Sequence, residues 1–410
     1  MTIQINSTFF LLENSKQAIS YMIDEITHIC RDMKSRAPGS EGEREAAAYM
    51  AGVLKNDCGC RDVKTETFTE HPSAFYNYFR FSAIFDTLCA VCFFIKPWLS
   101  ILFGSLSLLL FLFQFVLYKQ IIDPLFPKKE SVNVTAIRPC SGEVRQRVFL
   151  NGHIDAAWEF PLSYRFGGVV FELPGVMATV GVLYYIALSV CVLCSAGAWT
   201  RIAGLCGLIF VPFFLLLAIT YNPKRVVDGA NDNLSGCYIG IALLREMERL
   251  GIDLEHTEVG VILTGSEEAG LRGAKAWCKA HKDDYRDVPT YIVSFDTIHD
   301  PRYLMVNRRD LNNSVPADQK LCELLLQAAE DVGAPYRNGH VPLFGGSTDS
   351  AAFTQGGFRS VGITGLNHKL EDYYHTRKDS YDNLNTDGLE QCYRATVSFV
   401  GKIEYSTSKE

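Results

Sequence analysis

Gly265-Ser266-Glu267-Glu268-Ala269-Gly270 is the stretch around which the rest of this chain is organised. It follows an apolar run from Val259 to Leu263, which is typical of a buried strand of about five residues bounded by turn signals. An unpaired carboxylate buried at the end of such a strand costs several kcal/mol. Glu267 and Glu268 therefore either open a solvated helix, where negative charge suits the helix dipole, or face a positive charge supplied elsewhere in the chain.

The composition excludes some classes of function. Of the 410 residues, 48% are hydrophobic and 21% are charged, and the net charge is -7 at pH 7. This length fits two or three ordinary domains, or one large domain with insertions. Because the chain is acidic and carries no basic stripe with interleaved aromatic residues, we expect no nucleic-acid partner. The 13 cysteines follow no repeating spacing, which favours reduced thiols over a disulfide framework.

Four long apolar segments interrupt what is otherwise the pattern of a soluble α/β protein. They form two pairs joined by short turns, Tyr76 to Ile95 with Trp98 to Tyr118, and Val176 to Ser195 with Trp199 to Tyr221. About 20 consecutive apolar residues span a bilayer, so the pairs predict two transmembrane hairpins. The first segment is the weakest of the four, because Asp86 at a helix centre costs roughly 2.5–3.5 kcal/mol. Asp86 then either reaches the interface, faces the helix bundle or marks a tilted segment.

An even number of spans in each hairpin leaves the remaining segments on one side of the membrane. Residues 1–75, 119–175 and 222–410 are therefore predicted to form one discontinuous domain. Residues 76–118 and 176–221 are the two hairpins. The bilayer is then an expected partner of the chain, while the oligomeric state stays open.

Aromatic and basic residues around the hairpins predict an orientation. Trp98 and Trp199 lie at the hairpin tips, and Tyr118 and Tyr221 lie at the return ends, as in interfacial aromatic belts. Basic residues are more frequent beside the soluble segments than at the tips: Arg80, Lys119, Lys128, Lys129, Lys224 and Arg225 against Lys96 and Arg201. The positive-inside rule then predicts a multi-pass membrane protein whose large domain lies on the cytoplasmic side.

Side chains that commonly bind metals lie beside two further elements of the soluble segments. His153 and Asp155 come after a strand from Arg147 to Leu150, and residues two apart on an extended chain face the same way. His153 is therefore a candidate metal ligand, and Asp155 is a candidate partner that orients its ring. Asp232 precedes a helix predicted from Cys237 to Leu250, where it either caps the helix or bridges two cations.

Two more strands end beside such residues. Asp296 ends the strand from Tyr291 to Phe295, and a loop that contains His375 follows the strand from Val361 to Leu366. Open α/β sheets place their sites at the carboxyl ends of strands. Imidazole and carboxylate together suit zinc or a similar divalent ion, so the sequence predicts a metal site at this edge of the sheet.

In their order along the chain, these motifs resemble the co-catalytic di-zinc exopeptidases of metallopeptidase family 28. The matching motifs are Gly152-His153-Ile154-Asp155, Asp232-Asn233-Leu234-Ser235-Gly236, Gly265 to Gly273, Asp296, and His375-Thr376 with Asp379-Ser380. The resemblance covers essentially all of the soluble sequence, and only the hairpins fall outside it. It implies a three-layer α/β/α zinc-exopeptidase fold with a mixed, mostly parallel central sheet. To this fold the chain adds the four predicted transmembrane helices, so it looks like a membrane-embedded member.

The resemblance implies two divalent metal ions, expected to be Zn²⁺, held by five residues. Asp232 would bridge both ions. Glu268 and His375 would complete the site of one ion, and His153 and Asp296 would complete the site of the other. No ligand position of the family's pattern is missing from this sequence. That completeness argues against relatives that have lost their ligands and against the glutaminyl cyclase branch, which works with one zinc.

The same resemblance makes Glu267 the general base and Asp155 the residue that orients His153. Two cations about 3.5–4 Å apart lower the pKa of a water held between them, and so supply a hydroxide that attacks the peptide carbonyl. Glu267 would take the proton and deliver it to the leaving amine. Asp349, in a segment that resembles the family's substrate-side loop, and Tyr374, beside His375, are candidate substrate-binding residues.

The implied function is a membrane-anchored metalloaminopeptidase that hydrolyses N-terminal residues from short peptides. A carboxypeptidase or another amide hydrolase, for example one that acts on N-acyl amino acids, would use the same chemistry. Arg308, with its neighbour Arg309, would then recognise a substrate carboxylate, although a plain exposed basic pair is the alternative interpretation. A membrane scaffold that only keeps the fold is the non-enzyme alternative, and missing ligands would have favoured it.

Overall fold

The computed structural model describes residues 2–195, 197–367 and 371–407. Residue 196 of the second predicted hairpin and residues 1, 368–370 and 408–410 of the predicted domain lie outside the described residues. The helices are α1 Thr2–Glu13, α2 Ser15–Asp32, α3 Glu41–Asp57, α4 Pro72–Phe93, α5 Pro97–Leu110, α6 Pro161–Phe166, α7 Gly168–Leu193, α8 Trp199–Cys206, α9 Val211–Leu217, α10 Ser235–Leu250, α11 Arg272–Ala280, α12 Gln319–Asp331, α13 Asp349–Gln355 and α14 Thr386–Thr407. The strands are β1 Asp62–Glu70, β2 Lys129–Arg138, β3 Gln146–His153, β4 Trp158–Glu159, β5 Asn222–Val226, β6 Thr257–Thr264, β7 Thr290–Ile298, β8 Met305–Asn307, β9 Arg309–Asp310, β10 Val315–Pro316, β11 Arg337–Gly339 and β12 Arg359–Gly365.

Among the described residues, one sheet of eight strands runs through the domain in the order β1-β2-β6-β3-β7-β12-β8-β11. Its centre is parallel, because β3 pairs in parallel with both β6 and β7, and β12 pairs in parallel with β7. Antiparallel pairs lie outside this centre: β1 with β2, β2 with β6, and β12 with β8. The predicted mixed, mostly parallel sheet is therefore confirmed.

Helices cover both faces of the sheet, as an α/β/α arrangement requires. On β3, Val148 and Leu150 pack into a core with α2, α3, α10 and α14, while Phe149 packs on the other face with α11 and α13. This alternation is the period of two that an extended chain imposes on its side chains. Gly251, at φ 62°, ends α10, where its lack of a Cβ makes the left-handed conformation inexpensive.

Two helical insertions leave the domain between paired strands. The first lies between β1 and β2, whose antiparallel ladder closes at Glu70 opposite Lys129. The second lies between β4 and β5, which pair Glu159 opposite Asn222. Side chains of both insertions, from α4, α7 and α9, form a separate apolar core of their own. Each insertion therefore leaves the domain and returns to it at one pair of adjacent strands.

The described residues contain three helical segments that are long and apolar enough to cross a membrane. They are Pro97–Val116, Gly168–Leu193 and Trp199–Leu217, so the predicted count of four is not confirmed. The helix that does not qualify is α4, which carries Asn77, Arg80 and Asp86 among its apolar residues. Asp86 is only 2% exposed, which agrees with the alternative that it faces the bundle.

The second hairpin also begins earlier than the apolar pattern predicted. Helix α7 begins at Gly168, eight residues before the predicted start at Val176, because Glu172 and Pro174 interrupt the apolar run without ending the helix. Pro174 lies in the second turn of that helix. A proline there lacks the backbone N–H that would donate to the carbonyl of Val170, so α7 continues past it with one helical hydrogen bond fewer. Hydropathy locates the apolar part of a helix, not its first turn.

The aromatic residues at the hairpins divide into two groups. Trp98 and Trp199 at the tips are about half exposed, as interfacial residues are. The ring of Tyr221, by contrast, is buried and packs 5.3 Å from the ring of Tyr76. Tyr118 packs 4.8 Å from Phe75. The two return-end tyrosines therefore contact the region beside the predicted metal site.

Candidate metal centre

The turn after β6 brings the two adjacent glutamates into the interior. Hydrogen bonds from Gly270 N–H and Leu271 N–H to the Glu267 carbonyl, at 2.7 and 2.8 Å, fold the chain back on itself. Helix α11 begins only at Arg272, and Glu267 and Glu268 are 8% and 4% exposed. The interpretation of this pair as a solvated helix start is therefore wrong.

Two neighbouring elements fix the position of this turn. The Ser266 N–H donates to the Glu43 carboxylate of α3 at 2.7 Å. A Cβ on Gly265 would lie 2.4 Å from the Val132 carbonyl oxygen of β2, so only glycine fits at the start of the turn. The turn is clamped between α3 and the adjacent strand, which leaves its two glutamates little freedom.

Asp232 lies between the two predicted histidine ligands. Its Oδ1 is 3.1 Å from Nε2 of His153, and its Oδ2 is 3.1 Å from Nε2 of His375. Glu268 Oε1 is also 3.1 Å from Nε2 of His375. All four side chains are buried. Residues that lie up to 222 positions apart in the sequence thus present nitrogen and oxygen atoms to one small volume.

These atoms fit a divalent cation. Nε2 of His153, Oδ2 of Asp232 and Oε1 of Glu268 are buried and make no hydrogen bond within the part of the chain that the structure describes. The ligand atoms of these three residues lie within 4.8 Å of one another. Buried polar atoms without partners are costly, and a cation with nitrogen and oxygen ligands would satisfy them. Imidazole and carboxylate ligands are those that zinc prefers.

The fifth predicted ligand, Asp296, lies at the border of this group. Its carboxylate accepts a hydrogen bond from Thr297 Oγ1 at 2.8 Å, and it is not among the three residues whose ligand atoms lie within 4.8 Å. Burial and the Asp232 carboxylate raise the pKa of Asp296 to about 8. This shift reflects the density of negative charge that a cation would offset.

The pKa values of the two candidate histidine ligands are also raised, which favours their positively charged form. Although burial opposes it, the carboxylates of Glu268 and Asp232 raise the pKa of His375 to about 10. Burial likewise opposes the effect of Asp155 and Asp232, which raise the pKa of His153 well above its usual value. The site therefore favours positive charge between its carboxylates. Divalent cations meet the same electrostatic demand without protonating the rings.

Asp155 positions both the glutamate pair and His153. Its two carboxylate oxygens accept the backbone N–H groups of Glu267 and Glu268, each at 3.0 Å. Its Oδ1 also lies 3.5 Å from Nδ1 of His153, and its backbone oxygen lies 3.1 Å from the same nitrogen. The sequence had predicted only the contact between Asp155 and His153. One carboxylate thus couples the ends of β3 and β6.

Asp379 gives Asp232 a comparable support, for which the sequence assigned no role. Its carboxylate accepts the backbone N–H groups of Asn231 at 2.8 Å and of Asp232 at 3.1 Å. It also accepts the Asn231 side-chain amide at 2.9 Å. Asp379 is completely buried, so these bonds hold the turn that presents Asp232 to both histidines. Only its membership of the matched motif marked this residue in the sequence.

Strained backbone conformations coincide with the site. Ser266, Thr297 and His375 adopt φ angles of 52°, 51° and 51°, in the left-handed region that residues other than glycine rarely occupy. Each such residue costs on the order of 1–3 kcal/mol and persists where the surrounding structure fixes it. The three positions lie beside Glu267, beside Asp296 and at a candidate ligand. This coincidence is typical of a functional site.

A tyrosine of the first insertion reaches the site. Tyr76, in the first turns of α4, donates a hydrogen bond from its hydroxyl to Oε2 of Glu268 at 3.0 Å, and the same hydroxyl is 3.5 Å from Nδ1 of His375. Tyr374 stacks on the His375 ring at 4.0 Å, and Phe160 packs on it at 4.6 Å. Sequence reasoning missed Tyr76, because the resemblance ended where the hairpin began.

We expect Tyr76→Phe to weaken zinc affinity about 10–100-fold, since outer partners of metal ligands contribute about that much. The change removes only the hydroxyl that donates to Glu268 and leaves the packed ring in place. Zinc competition with a chromophoric chelator measures the effect. Tyr78→Phe is the matched control, because that ring lies on the same helix and packs on Phe79 and Phe115. Equal zinc affinities in both variants would contradict the role of Tyr76.

A cavity of about 180 Å³ opens onto the candidate metal-binding residues. Tyr374, one of the candidate substrate-binding residues, lines it together with Glu267 and Glu268. Its lining residues include the acidic side chains Glu172 and Glu371, and no lysine or arginine of the described residues is among them. The cavity therefore offers negative charge to whatever enters it. We refer to it below as the metal-side cavity.

The two other predicted substrate residues do not line the metal-side cavity. Asp349 is buried under the strands, where it accepts hydrogen bonds from Thr264 Oγ1 and, at 3.5 Å, from the side chain of Asn151. Arg308 donates hydrogen bonds to Asn338 and Gln319, both at 2.6 Å. The structure brings neither side chain to the cavity.

Comparisons with known proteins agree with the fold. The family model of peptidase family M28 matches residues 218–400. Among solved structures, a zinc aminopeptidase from Bacillus subtilis is similar with a TM-score of 0.56 and 14% identity, over 94% of this chain and 95% of that one. A Zn-dependent exopeptidase from Parabacteroides distasonis gives 0.52 and 14%, over 96% and 98%. A glutaminyl cyclase from Fimbriiglobus ruber gives 0.54 and 12%, over 93% and 94%. The shared fold thus hosts more than one reaction.

Proposed function

Since residues 218–400 belong to peptidase family M28, we propose that this protein is a membrane-anchored di-zinc metalloaminopeptidase that acts on short peptides. One observation carries the proposal. Buried ligand atoms of His153, Asp232 and Glu268, which make no hydrogen bond within the described residues, converge beside a cavity that is also lined by Glu267. Such a constellation has a cost for folding and suits a catalytic metal centre.

The roles of the residues follow from their positions. Divalent cations held by His153, Asp232, Glu268, Asp296 and His375 would supply Lewis acidity and lower the pKa of water. Glu267 is not needed as a ligand, and its Oε2 lies 3.8 Å from Nε2 of His153. Burial and the charge of Glu268 raise the pKa of Glu267 well above its usual value, so this carboxylate is suited to accept and return a proton.

The charge of the metal-side cavity favours an amine-bearing substrate over a carboxylate-bearing one. Glu172 and Glu371 line it in addition to the glutamate pair, and the described lining contains no lysine or arginine, although the imidazole of the candidate metal ligand His375 is part of it. The α-ammonium group of a free N-terminus is attracted to such a surface, whereas a C-terminal carboxylate is repelled by it. Arg308, the candidate for carboxylate recognition, is engaged with Asn338 and Gln319. These contacts support an aminopeptidase more than a carboxypeptidase.

The insertions support the membrane part of the proposal. Most exposed large hydrophobic side chains of the described residues lie on the insertion helices, for example Leu109, Val180 and Ile202. Soluble monomers rarely expose apolar patches of this extent, and a bilayer would cover them. With the basic flanks of the hairpins, the positive-inside rule favours a cytoplasmic position for the large domain.

A substrate panel tests the proposal. We expect the zinc-loaded, detergent-purified chain to hydrolyse leucine amides and short peptides with a free N-terminus, and to lose this activity in chelator. N-acetylated peptides that keep a free C-terminus are the matched substrates, and cobalt in place of zinc tests the metal preference. Preferred turnover of the acetylated substrates would show a carboxypeptidase or acyl-amino-acid hydrolase instead.

A further inference from the structure

A second, larger cavity lies inside the helical insertions. Its volume is about 420 Å³, and residues of α4, α5 and α7 line it together with the loop that contains Leu343. Most of these residues are apolar, and Val176, Ala178 and Val182 contribute one wall. We call it the bundle cavity. An apolar volume of this size between helices is the kind of site that takes hydrophobic ligands.

The bundle cavity adjoins the metal-side cavity, and the two cavities share lining residues. Five aromatic residues line both of them: Tyr78, Phe79, Phe115, Phe171 and Phe344. Glu172 also lines both cavities. A ligand whose polar end lies among the candidate metal-binding residues can therefore place its apolar part between these aromatic rings and in the bundle cavity. Neither cavity alone has this character.

The distance along helix α4 between two lining residues gives the depth of the metal-side cavity and the bundle cavity taken together. Tyr76, whose hydroxyl donates to Glu268, stands at the metal end, and Asp86 lines the far part of the bundle cavity. Ten residues separate them, which corresponds to roughly 15 Å along a helix. The hydrocarbon core of a bilayer is about 30 Å thick, so one leaflet has about the same depth. The space therefore suits a single linear hydrocarbon chain.

Polar groups lie at the two ends of the bundle cavity. Glu172 stands where it joins the metal-side cavity, and Ser82, Asp86 and Ser107 line the other end. Among the described residues, Ser82 Oγ and Asp86 Oδ1 make no hydrogen bond and are buried. A hydrocarbon chain that reached them would leave them unsolvated, so we expect this end to limit the chain length that is accommodated.

From this adjacency and the shared aromatic lining we propose that the natural substrate is an amphiphile: a small head with a free α-amine and an amide bond, attached to one linear hydrocarbon chain that occupies the bundle cavity. The inference rests on the proposed aminopeptidase function. Hydrolysis adds water across the amide C–N bond, so that the carbonyl carbon gains a hydroxyl and the nitrogen leaves with a proton. The chain is carried either by the leaving amine or by the side chain of the released residue.

Two series of substrates test the proposal and separate the two sources of the chain. One series consists of leucine alkylamides from ethyl to hexadecyl, and the other of ethylamides of α-amino acids whose side chains grow from ethyl to hexadecyl. Both are assayed below their critical micelle concentrations. We expect kcat/KM to rise on the order of threefold for each added methylene in one series until the cavity is filled, and then to level off. Flat profiles in both series would overturn the proposal.

Variants that fill the bundle cavity provide the structural test. Gly175 and Thr179 both line it on α7, and a Cβ at Gly175 would meet nothing within 4 Å. In Thr179→Phe, and in Gly175→Phe as a second variant, we expect the long-chain advantage to be lost, so that long and short substrates give similar kcat/KM. Val190→Phe on the same helix is the matched control, because Val190 is 47% exposed and does not line the cavity. An unchanged chain-length profile in both cavity variants would contradict the proposal.

A binding measurement keeps this inference separate from the proposed function. Dodecylamine and ethylamine are titrated calorimetrically into the wild-type chain and into Thr179→Phe. Tighter binding of dodecylamine to the wild type, reduced in the variant, supports the chain site whether or not the amide is hydrolysed. Turnover of leucine ethylamide without any preference for longer chains would leave the aminopeptidase standing and remove the chain site. Equal binding of the two amines would remove it as well.

Discussion

In Glu267→Gln we expect kcat to fall about 10²- to 10⁴-fold while the bound metal is retained. The amide keeps the shape and burial of the side chain but cannot take a proton at neutral pH. Glu267 lines the metal-side cavity 3.8 Å from Nε2 of His153, a position from which it can reach a reacting group without occupying a ligand position. Steady-state kinetics on a leucine amide, with zinc content measured on the same sample, give both quantities.

Glu371→Gln is the matched control for this experiment. Glu371 lines the same cavity, and its carboxylate accepts a hydrogen bond from the Asn367 backbone N–H at 3.0 Å. Because it is placed away from the metal-type cluster, its loss should act mainly on KM through the charge of the cavity. A near-normal kcat in Glu267→Gln would rule out the general base.

The second large effect is expected in Asp232→Ala, which should lose both metal and activity. Among the described residues, Asp232 is the carboxylate that lies close to both imidazoles, at 3.1 Å from His153 and 3.1 Å from His375. Removing it takes a ligand from each half of a two-metal site. A bound ligand at 1,000 times its dissociation constant stabilises a protein by about 4.1 kcal/mol. We therefore expect excess zinc to raise the Tm of the wild type and to leave the Tm of the variant unchanged.

Asp228→Ala is the control for that variant, since Asp228 lies in the same polar segment and is half-buried but stands outside the cluster. The zinc-dependent shift in Tm should persist in this control. If Asp232→Ala kept a shift as large as that of the wild type, zinc would bind elsewhere, and the bridging role of Asp232 would be refuted.

The parts of the site that the sequence predicted are those that depend on strand ends. His153 ends β3, and Glu267 and Glu268 follow β6, so the parallel centre of the sheet brings them to one edge. The apolar runs of these strands are visible in the sequence because both faces of a central parallel strand are buried. Asp155 was recognisable beside His153, although its hydrogen bonds to the glutamate backbone were not.

Other parts depend on contacts that no local pattern encodes. Tyr76 contacts Glu268 across 192 positions of sequence, and it does so from a helix whose composition predicted only a membrane span. Asp379 supports Asp232 from a loop 147 positions away. The candidate substrate residues show the converse. Arg308 has the right charge for a carboxylate, but its local chain directs it to Asn338 and Gln319.

The insertions show the same limit in another form. Apolar length predicted the helices, and Asp86 marked α4 as the weakest of the four predicted spans, but the contacts of its polar side chains could not be read from the sequence. The bundle cavity and the metal-side cavity adjoin where residues of α4 and α7, such as Phe79 and Phe171, line both of them. Such a space is a property of packing between distant segments, and the sequence of each helix alone does not contain it.

Metal content measured together with activity is the most direct test of the central claim, that the cluster around Asp232 is a catalytic metal centre. The full-length chain is purified in detergent without added chelator, and its zinc is quantified by elemental analysis. We predict about two zinc ions per chain, as a two-metal site requires, with peptidase activity that chelation abolishes and zinc restores. A chain that contains essentially no divalent metal and retains its activity after chelation would contradict the claim.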